Sequence, residues 1–260
     1  MKMRKNKLID QLARKDNVIY FDEAVKITDL SRESLRVVFN RLEKSGVLER
    51  IEKGKYLIIP IGAEKGKYTL NEFVIGSTLL NKNNYSIGYW SALHHHGLTE
   101  QIPNIVFIQT NERKKKTNIN VFGLNYKIIR IKKEKIFGIQ KLWFEDKPIN
   151  ITEREKAIID CLDKPQYCGG VIEVFKALNN IKDEEYSKEK LVNYALRMNN
   201  SGIARRLGYI CDYVGISIGI PKPNARNYLY LDPTMPKQGK PNAKWRLIIN
   251  LDEKFIGELE

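Results

Sequence analysis

The chain has little from which to build a disulfide framework: it holds three cysteines, Cys161, Cys168 and Cys211, in 260 residues. The number is odd and no two stand in CxxC spacing, which argues against a disulfide scaffold and for a reducing cytosol. Long apolar runs are missing too. Tyr56–Ile61 is representative, and a bilayer span needs about 20 apolar residues. The first residues are charged and never become the apolar core of a signal peptide. These absences predict a cytoplasmic protein with no membrane partner. No P-loop, Rossmann glycine fingerprint or Gly-x-Ser-x-Gly elbow is present, so no cofactor is expected.

Acidic residues are also short in supply. Lys and Arg number 45 against 31 Asp and Glu, a formal net charge of +14. The excess is uneven: residues 1–60 carry +5, residues 61–150 carry +7 and residues 151–260 carry +2. A chain so basic suits a polyanionic partner, although charge alone does not separate DNA from RNA or an anionic membrane.

The richest local pattern lies in residues 1–62. Leu8, Ile9 and Leu12 predict an amphipathic helix over Lys5–Arg14. Val18–Phe21 is a short β-prone run, and Asp22 is placed to cap a short helix over Glu23–Ile27. After the turn Thr28–Leu30, Ser31 is a good N-cap for a longer helix that Gly46 closes. Leu35, Val38 and Leu42 share its apolar face, with Phe39 at the edge. Glu33, Arg36, Val37, Asn40 and Lys44 share the opposite face, flanked by Arg32. Val47–Ile51 and Tyr56–Ile59 then form a hairpin, with Lys53, Gly54 and Lys55 at its tip.

Helix, helix, helix and basic hairpin, in that order, is the pattern of a winged helix-turn-helix. Arg reads guanine edges and Asn reads adenine edges in the major groove, so the outer face of the third helix suits double-stranded DNA. The residues expected to contact DNA are Ser31, Arg32, Arg36, Val37, Asn40, Lys44, Lys53 and Lys55. A winged helix can instead mediate protein contacts, and Glu33 and Glu43 would repel phosphate wherever they point outward.

Ile61–Thr69 reads as a linker, and residues 68–260 as a larger α+β domain, with a sub-boundary near 150. Helices are expected over Leu70–Leu80, Ser86–His96, Ile151–Leu162, Gly170–Leu178, Lys188–Met198 and Gly202–Val214. Thr152 with Glu155 has the form of a capping box for the third of these. Strands are expected over Ile105–Thr110, Asn118–Phe122, Tyr126–Ile131 and Trp245–Asn250.

Three constellations could carry chemistry. His94, His95 and His96 are consecutive, so on a helix they point about 100° apart and cannot converge on one ion. No metal site is expected there. Gly76-Ser77 lacks the carboxylate pair of a nucleotidyltransferase. Glu112-Arg113-Lys114 fits the E-x-K end of many nucleases but has no Pro-Asp partner on a preceding strand. Cys161 is expected to be a small buried apolar residue rather than a nucleophile. A second basic cluster holds Arg113, Lys114, Lys115 and Lys116, then Lys127, Arg130, Lys132, Lys133 and Lys135. It is either a solvated face or a second electrostatic contact, to flanking DNA or to an acidic protein partner. Arg205-Arg206 could act likewise.

Tyr89–Glu100 (YWSALHHHGLTE), Ile151–Leu162 with Pro165 and Cys168–Gly170, and Ala204–Tyr209 follow the winged helix in order. Together these segments resemble the AbiEi family of antitoxins and viral-defence regulators across nearly the whole chain. The stretch Pro221–Pro241 matches no pattern of that family. The resemblance implies an N-terminal winged helix joined to an antitoxin domain, with no catalytic activity. It implies repression of the protein's own operon at inverted repeats. It also implies the neutralising of a nucleotidyltransferase-like toxin in a type IV system, without the need for a stable complex. The alternatives are a DNA-targeted nuclease centred on Glu112 and a transcription factor with no toxin partner.

Overall fold

The computed structural model describes residues 18–59, 71–80, 84–144, 147–181 and 186–251. The helix expected over Lys5–Arg14 and the linker expected over Ile61–Thr69 lie outside these residues. Helices and strands are segregated rather than alternating in βαβ units, which makes the fold α+β. The chain divides into two compact units. One runs through Leu79 and takes in Asn120–Gly123; the other comprises Leu80–Ile119 and the chain from Leu124 onward.

In the first unit β1 (Val18–Tyr20) leads into α1 (Phe21–Ile27) and α2 (Arg32–Lys44). The hairpin β2 (Leu48–Glu52) and β3 (Lys55–Ile58) follows, then α3 (Glu72–Thr78). The three strands form an antiparallel sheet in the order β1-β3-β2, with Val18 opposite Leu57 and Leu48 opposite Ile58. Asp22 does not cap α1. The cap position belongs to Tyr20, whose side chain makes no capping hydrogen bond, and Asp22 sits inside the first turn. Ser31 does cap α2, its hydroxyl accepting from the Ser34 N–H at 3.2 Å. Gly46 ends the helix with φ +72°, a conformation open to glycine because it has no Cβ.

Leu35, Phe39 and Leu42 of α2 are buried against Phe21, Ala24, Leu48, Tyr56 and Ile58. Phe39, expected at the edge of the apolar face, lies at its centre with 1% exposure, while Val38 is only half-buried. The reason is aromatic packing: Phe39 meets the rings of Phe21 at 5.4 Å and Tyr56 at 5.0 Å, both edge to face. A helical wheel carries no information about which ring the opposing sheet supplies.

The second unit is built on a mixed sheet of order β6-β7-β5-β4-β9-β8, of which Asn120 and Val121 at the end of β6 are counted with the first unit. Its strands are β4 (Tyr85–Ile87), β5 (Ile105–Thr110), β6 (Asn118–Val121), β7 (Leu124–Arg130), β8 (Ile139–Phe144) and β9 (Lys147–Thr152). β5 and β7 run parallel in register from Ile105–Asn125 to Thr110–Arg130. α4 (Tyr89–His95) follows β4, and α5 (Arg154–Asp163), α6 (Ile172–Asn180), α7 (Lys188–Arg197) and α8 (Ser201–Tyr213) follow the sheet. A small sheet of order β10-β12-β11 is formed by Leu229–Tyr230, Leu247–Ile249 and Lys240–Asn242. Among the described residues no helix is long and apolar enough to cross a membrane.

Two expectations fail here. Thr152 is the last residue of β9, not a helix cap, and Glu155 accepts from the Ser187 N–H at 2.8 Å instead of closing a capping box. Cys161 and Cys168 form a disulfide, with Cα atoms 5.6 Å apart. The short 3-10 turn Pro165–Tyr167 folds the chain back over the end of α5 and brings the two sulfurs together. That reversal cannot be read from a spacing of seven residues.

Candidate nucleic-acid interface

α2 owes its position to its buried face, and that burial leaves the opposite face in solvent. Arg32, Arg36 and Asn40 stand four residues apart, so they project from one side of the helix, and all three are exposed. Within the first unit they form one wall of a groove of about 400 Å³. Phe21 and Tyr56 also line it, and Arg50, Lys53 and Gly54 contribute from the hairpin. Gly54 has φ +81°, which the two-residue turn between β2 and β3 requires, and Lys53 beside it is exposed.

Four cations and one amide thus converge on the groove, with Asp22 as its single carboxylate. Asp22 holds Arg32 at 2.7 Å, and the two side chains are 76% and 52% exposed. So exposed a pair is worth at most about 1 kcal/mol, and a phosphate can displace the carboxylate. The Arg32 guanidinium also lies 5.6 Å from the centroid of the Phe21 ring, which limits its excursions. Arginine forks and an amide over an apolar floor can hydrogen-bond phosphate oxygens and base edges alike.

The structure sorts the residues expected from sequence. Arg32, Arg36, Asn40 and Lys53 come together in the groove. Ser31 is spent on capping α2. Lys55 is turned away: its ammonium pairs with Glu52, donates to the Thr78 carbonyl at 2.5 Å and lies over the Tyr20 ring. Val37 and Lys44 are exposed but do not line the groove. Glu33 is exposed as well, and Glu43 is half-buried.

Sequence reasoning missed Arg50. Strict strand alternation puts it on the face of the buried Leu48, but the pairing shifts register between Arg50 and Glu52, and Arg50 is exposed. Such irregularities re-aim side chains and leave little trace in a sequence. A lone cation in a strand directly after α2 was the one signal available.

The second basic cluster is drawn from two segments. Arg113, Lys115 and Lys116 are exposed in the loop between β5 and β6, with Lys114 half-buried. Lys132 and Lys133 are exposed after β7, and Arg130 at its end points its Nε at the Asn111 carbonyl, 3.4 Å away. Arg205 and Arg206, suggested as further contacts, are 2% and 8% exposed. Arg205 donates to the Asn227 carbonyl at 3.0 Å; Arg206 donates to those of Leu231 at 2.8 Å and Leu162 at 3.0 Å. They are internal struts, because a buried guanidinium must find acceptors for its donors.

The histidines diverge. His96 Nε2 lies 2.7 Å from the Thr152 carbonyl, and His95 packs its ring 5.9 Å from Phe144. Among the described residues no group of three His, Cys, Asp or Glu side chains is placed to hold a metal ion. Glu112, the suggested nuclease carboxylate, accepts from Asn84 Nδ2 at 3.1 Å.

The α+β class is shared with a known structure. The chain is similar to the RV2827C protein from Mycobacterium tuberculosis, with a TM-score of 0.72 over 97% of this chain and 92% of that one. Sequence identity is 13%, so the likeness shows the fold alone. No protein-family model matches the chain. No curated protein matches it either.

Proposed function

We propose that the first unit is a winged helix-turn-helix that binds double-stranded DNA, and that the protein is a transcriptional regulator without catalytic activity. The groove lined by Arg32, Arg36, Asn40, Arg50 and Lys53 carries this reading, since it pairs a helix face with the hairpin beside it. In this reading α2 enters the major groove, Lys53 on the wing contacts backbone phosphate, and Arg50 secures the phosphates between them. The resemblance of the later segments to AbiEi proteins adds the physiological role. The protein represses its own promoter at inverted repeats and counteracts a nucleotidyltransferase-like toxin.

Arg36→Ala is expected to weaken operator binding by about 1–3 kcal/mol and to relax base preference at one position. Lys53→Ala weakens all duplexes alike and reduces the slope of log K against log salt by about 0.9. Fluorescence anisotropy with the promoter fragment and a scrambled duplex reads both effects. Equal operator affinity for wild type and the Arg36→Ala/Asn40→Ala double variant would sink the assignment. Co-expression with the product of a neighbouring nucleotidyltransferase gene tests the antitoxin role, through rescue of growth.

A further inference from the structure

β7 ends at Arg130, and the chain then turns through Lys132–Lys135. There the second unit opens a pocket of about 540 Å³. Arg130, Lys132, Glu134 and Lys135 line one side; Lys164, after α5, and Arg197, at the end of α7, line the other. Five cations stand against Glu134 in the lining and Asp163 just behind Lys135, which leaves a positive excess in a concave site, where low-dielectric walls concentrate the field.

Several of these groups are held in place before any ligand arrives. The Arg197 guanidinium sits 4.0 Å from the centroid of the Phe137 ring, and Lys164 Nζ sits 5.9 Å from that of Tyr167. Asp163 is held by Lys135 Nζ at 2.6 Å and by Asn200 Nδ2 at 2.8 Å, so it neutralises the Lys135 ammonium and leaves the excess to Arg130, Lys132, Lys164 and Arg197. Lys132 is exposed at the rim.

We infer that this pocket binds a compact polyphosphate: the phosphate chain of a nucleoside triphosphate or free inorganic tripolyphosphate. Cations arriving from three segments suit several linked phosphates better than one, and two arginines offer forked donors to their oxygens. The apolar lining consists of Ile131 and Met198, with no aromatic ring on which a base could stack. Recognition therefore falls on the phosphates, and the base goes unread. A duplex carries its phosphates on a convex surface too broad for a pocket of this size. The inference is independent of the DNA-binding reading, which concerns the first unit.

Isothermal titration of the full-length protein with sodium tripolyphosphate, ATP, GTP and orthophosphate tests it. The three polyphosphates are expected to bind within about three-fold of one another, and each at least about ten-fold more tightly than orthophosphate. Lys132→Gln with Arg197→Gln is expected to weaken them by about ten-fold or more. Lys132→Arg should retain binding. If the double variant melts early, Lys132→Gln alone, at the exposed rim, still has to weaken tripolyphosphate measurably. A mixed-sequence duplex should bind without displacing tripolyphosphate. Silence with tripolyphosphate at millimolar concentration, binding of ATP alone, unchanged affinity in the variants, or displacement by the duplex would each overturn the inference.

Discussion

His96 is the residue whose chemistry is most sharply set by its surroundings. The Thr152 carbonyl can only accept, so a neutral His96 ring carries its proton on Nε2 and donates across 2.7 Å. Burial lowers its pKa below the ordinary 6.5, and the bond to the Thr152 carbonyl opposes that shift without cancelling it. The unfolded chain therefore takes up the proton more readily than the folded one, and between the two pKa values stability rises with pH. Its contribution is complete above the unfolded value near 6.5 and is lost as pH falls from there through the folded value. Melting temperatures at pH 7.5 and 5.5 should show a larger acid loss for wild type than for His96→Gln, which keeps a donor but cannot titrate. Identical losses would remove His96 as the cause. Lys156 and Asp160 teach a related lesson. They stand four residues apart on α5, both are buried, and Gln109 Nε2 completes the network by donating to Asp160 at 2.6 Å. Burial pushes the Asp160 carboxyl upward while Lys156 pulls it back.

At the scale of elements, α8 shows how tertiary packing reverses a local preference. Alanine exceeds glycine in helix propensity by about 1 kcal/mol, so Gly208 inside α8 is locally unfavourable. A Cβ built there would clash with the Trp245 ring. The indole cannot yield freely, because its Nε1 donates to Asp212 at 2.6 Å. Gly208→Ala is therefore expected to destabilise by about 1–3 kcal/mol in spite of propensity, read as an earlier thermal midpoint. A gain in stability would mean that Trp245 is not seated on the helix. Elements with a strong local signal were legible: α2 and α7, with one apolar face each, and β5, a continuous buried run, lie within one residue of their expected bounds at each end. The hairpin β8–β9 was not. β8 contains Gln140, Lys141 and an exposed Trp143 and lies at a sheet edge, where neither face imposes clean alternation. α5 was expected over Ile151–Leu162 and runs Arg154–Asp163; only its start was misjudged, because Thr152 still pairs as the last residue of β9.

For the whole molecule the cysteines give the most direct check. Cys161 and Cys168 are paired, and Cys211 is buried with its thiol pushed up to about 12 by that burial. A thiol so rarely ionised is a poor nucleophile. Iodoacetamide should leave the native protein unmodified. It should label Cys211 alone after denaturation without reductant, and all three cysteines once reductant is added. Intact-mass spectrometry distinguishes these states. Labelling of Cys161 in the unreduced, denatured protein would refute the disulfide. The charge excess is also resolved at this scale. Four cations line a groove in the first unit and five line a pocket in the second, while Arg205 and Arg206 are taken into the interior.

The sequence by itself determined the α+β class, the cap and stop of α2, and the exposure of Arg32, Arg36 and Asn40. Each depends on contacts within a few residues or on the period of a single element. Only the tertiary structure decided that Phe39 centres the first core, that Lys55 turns away, and that Arg50 joins the groove. It likewise decided that Cys161 meets Cys168 and that Arg130 and Arg197 line one pocket. These depend on which distant segments come to face one another, and no local period encodes that.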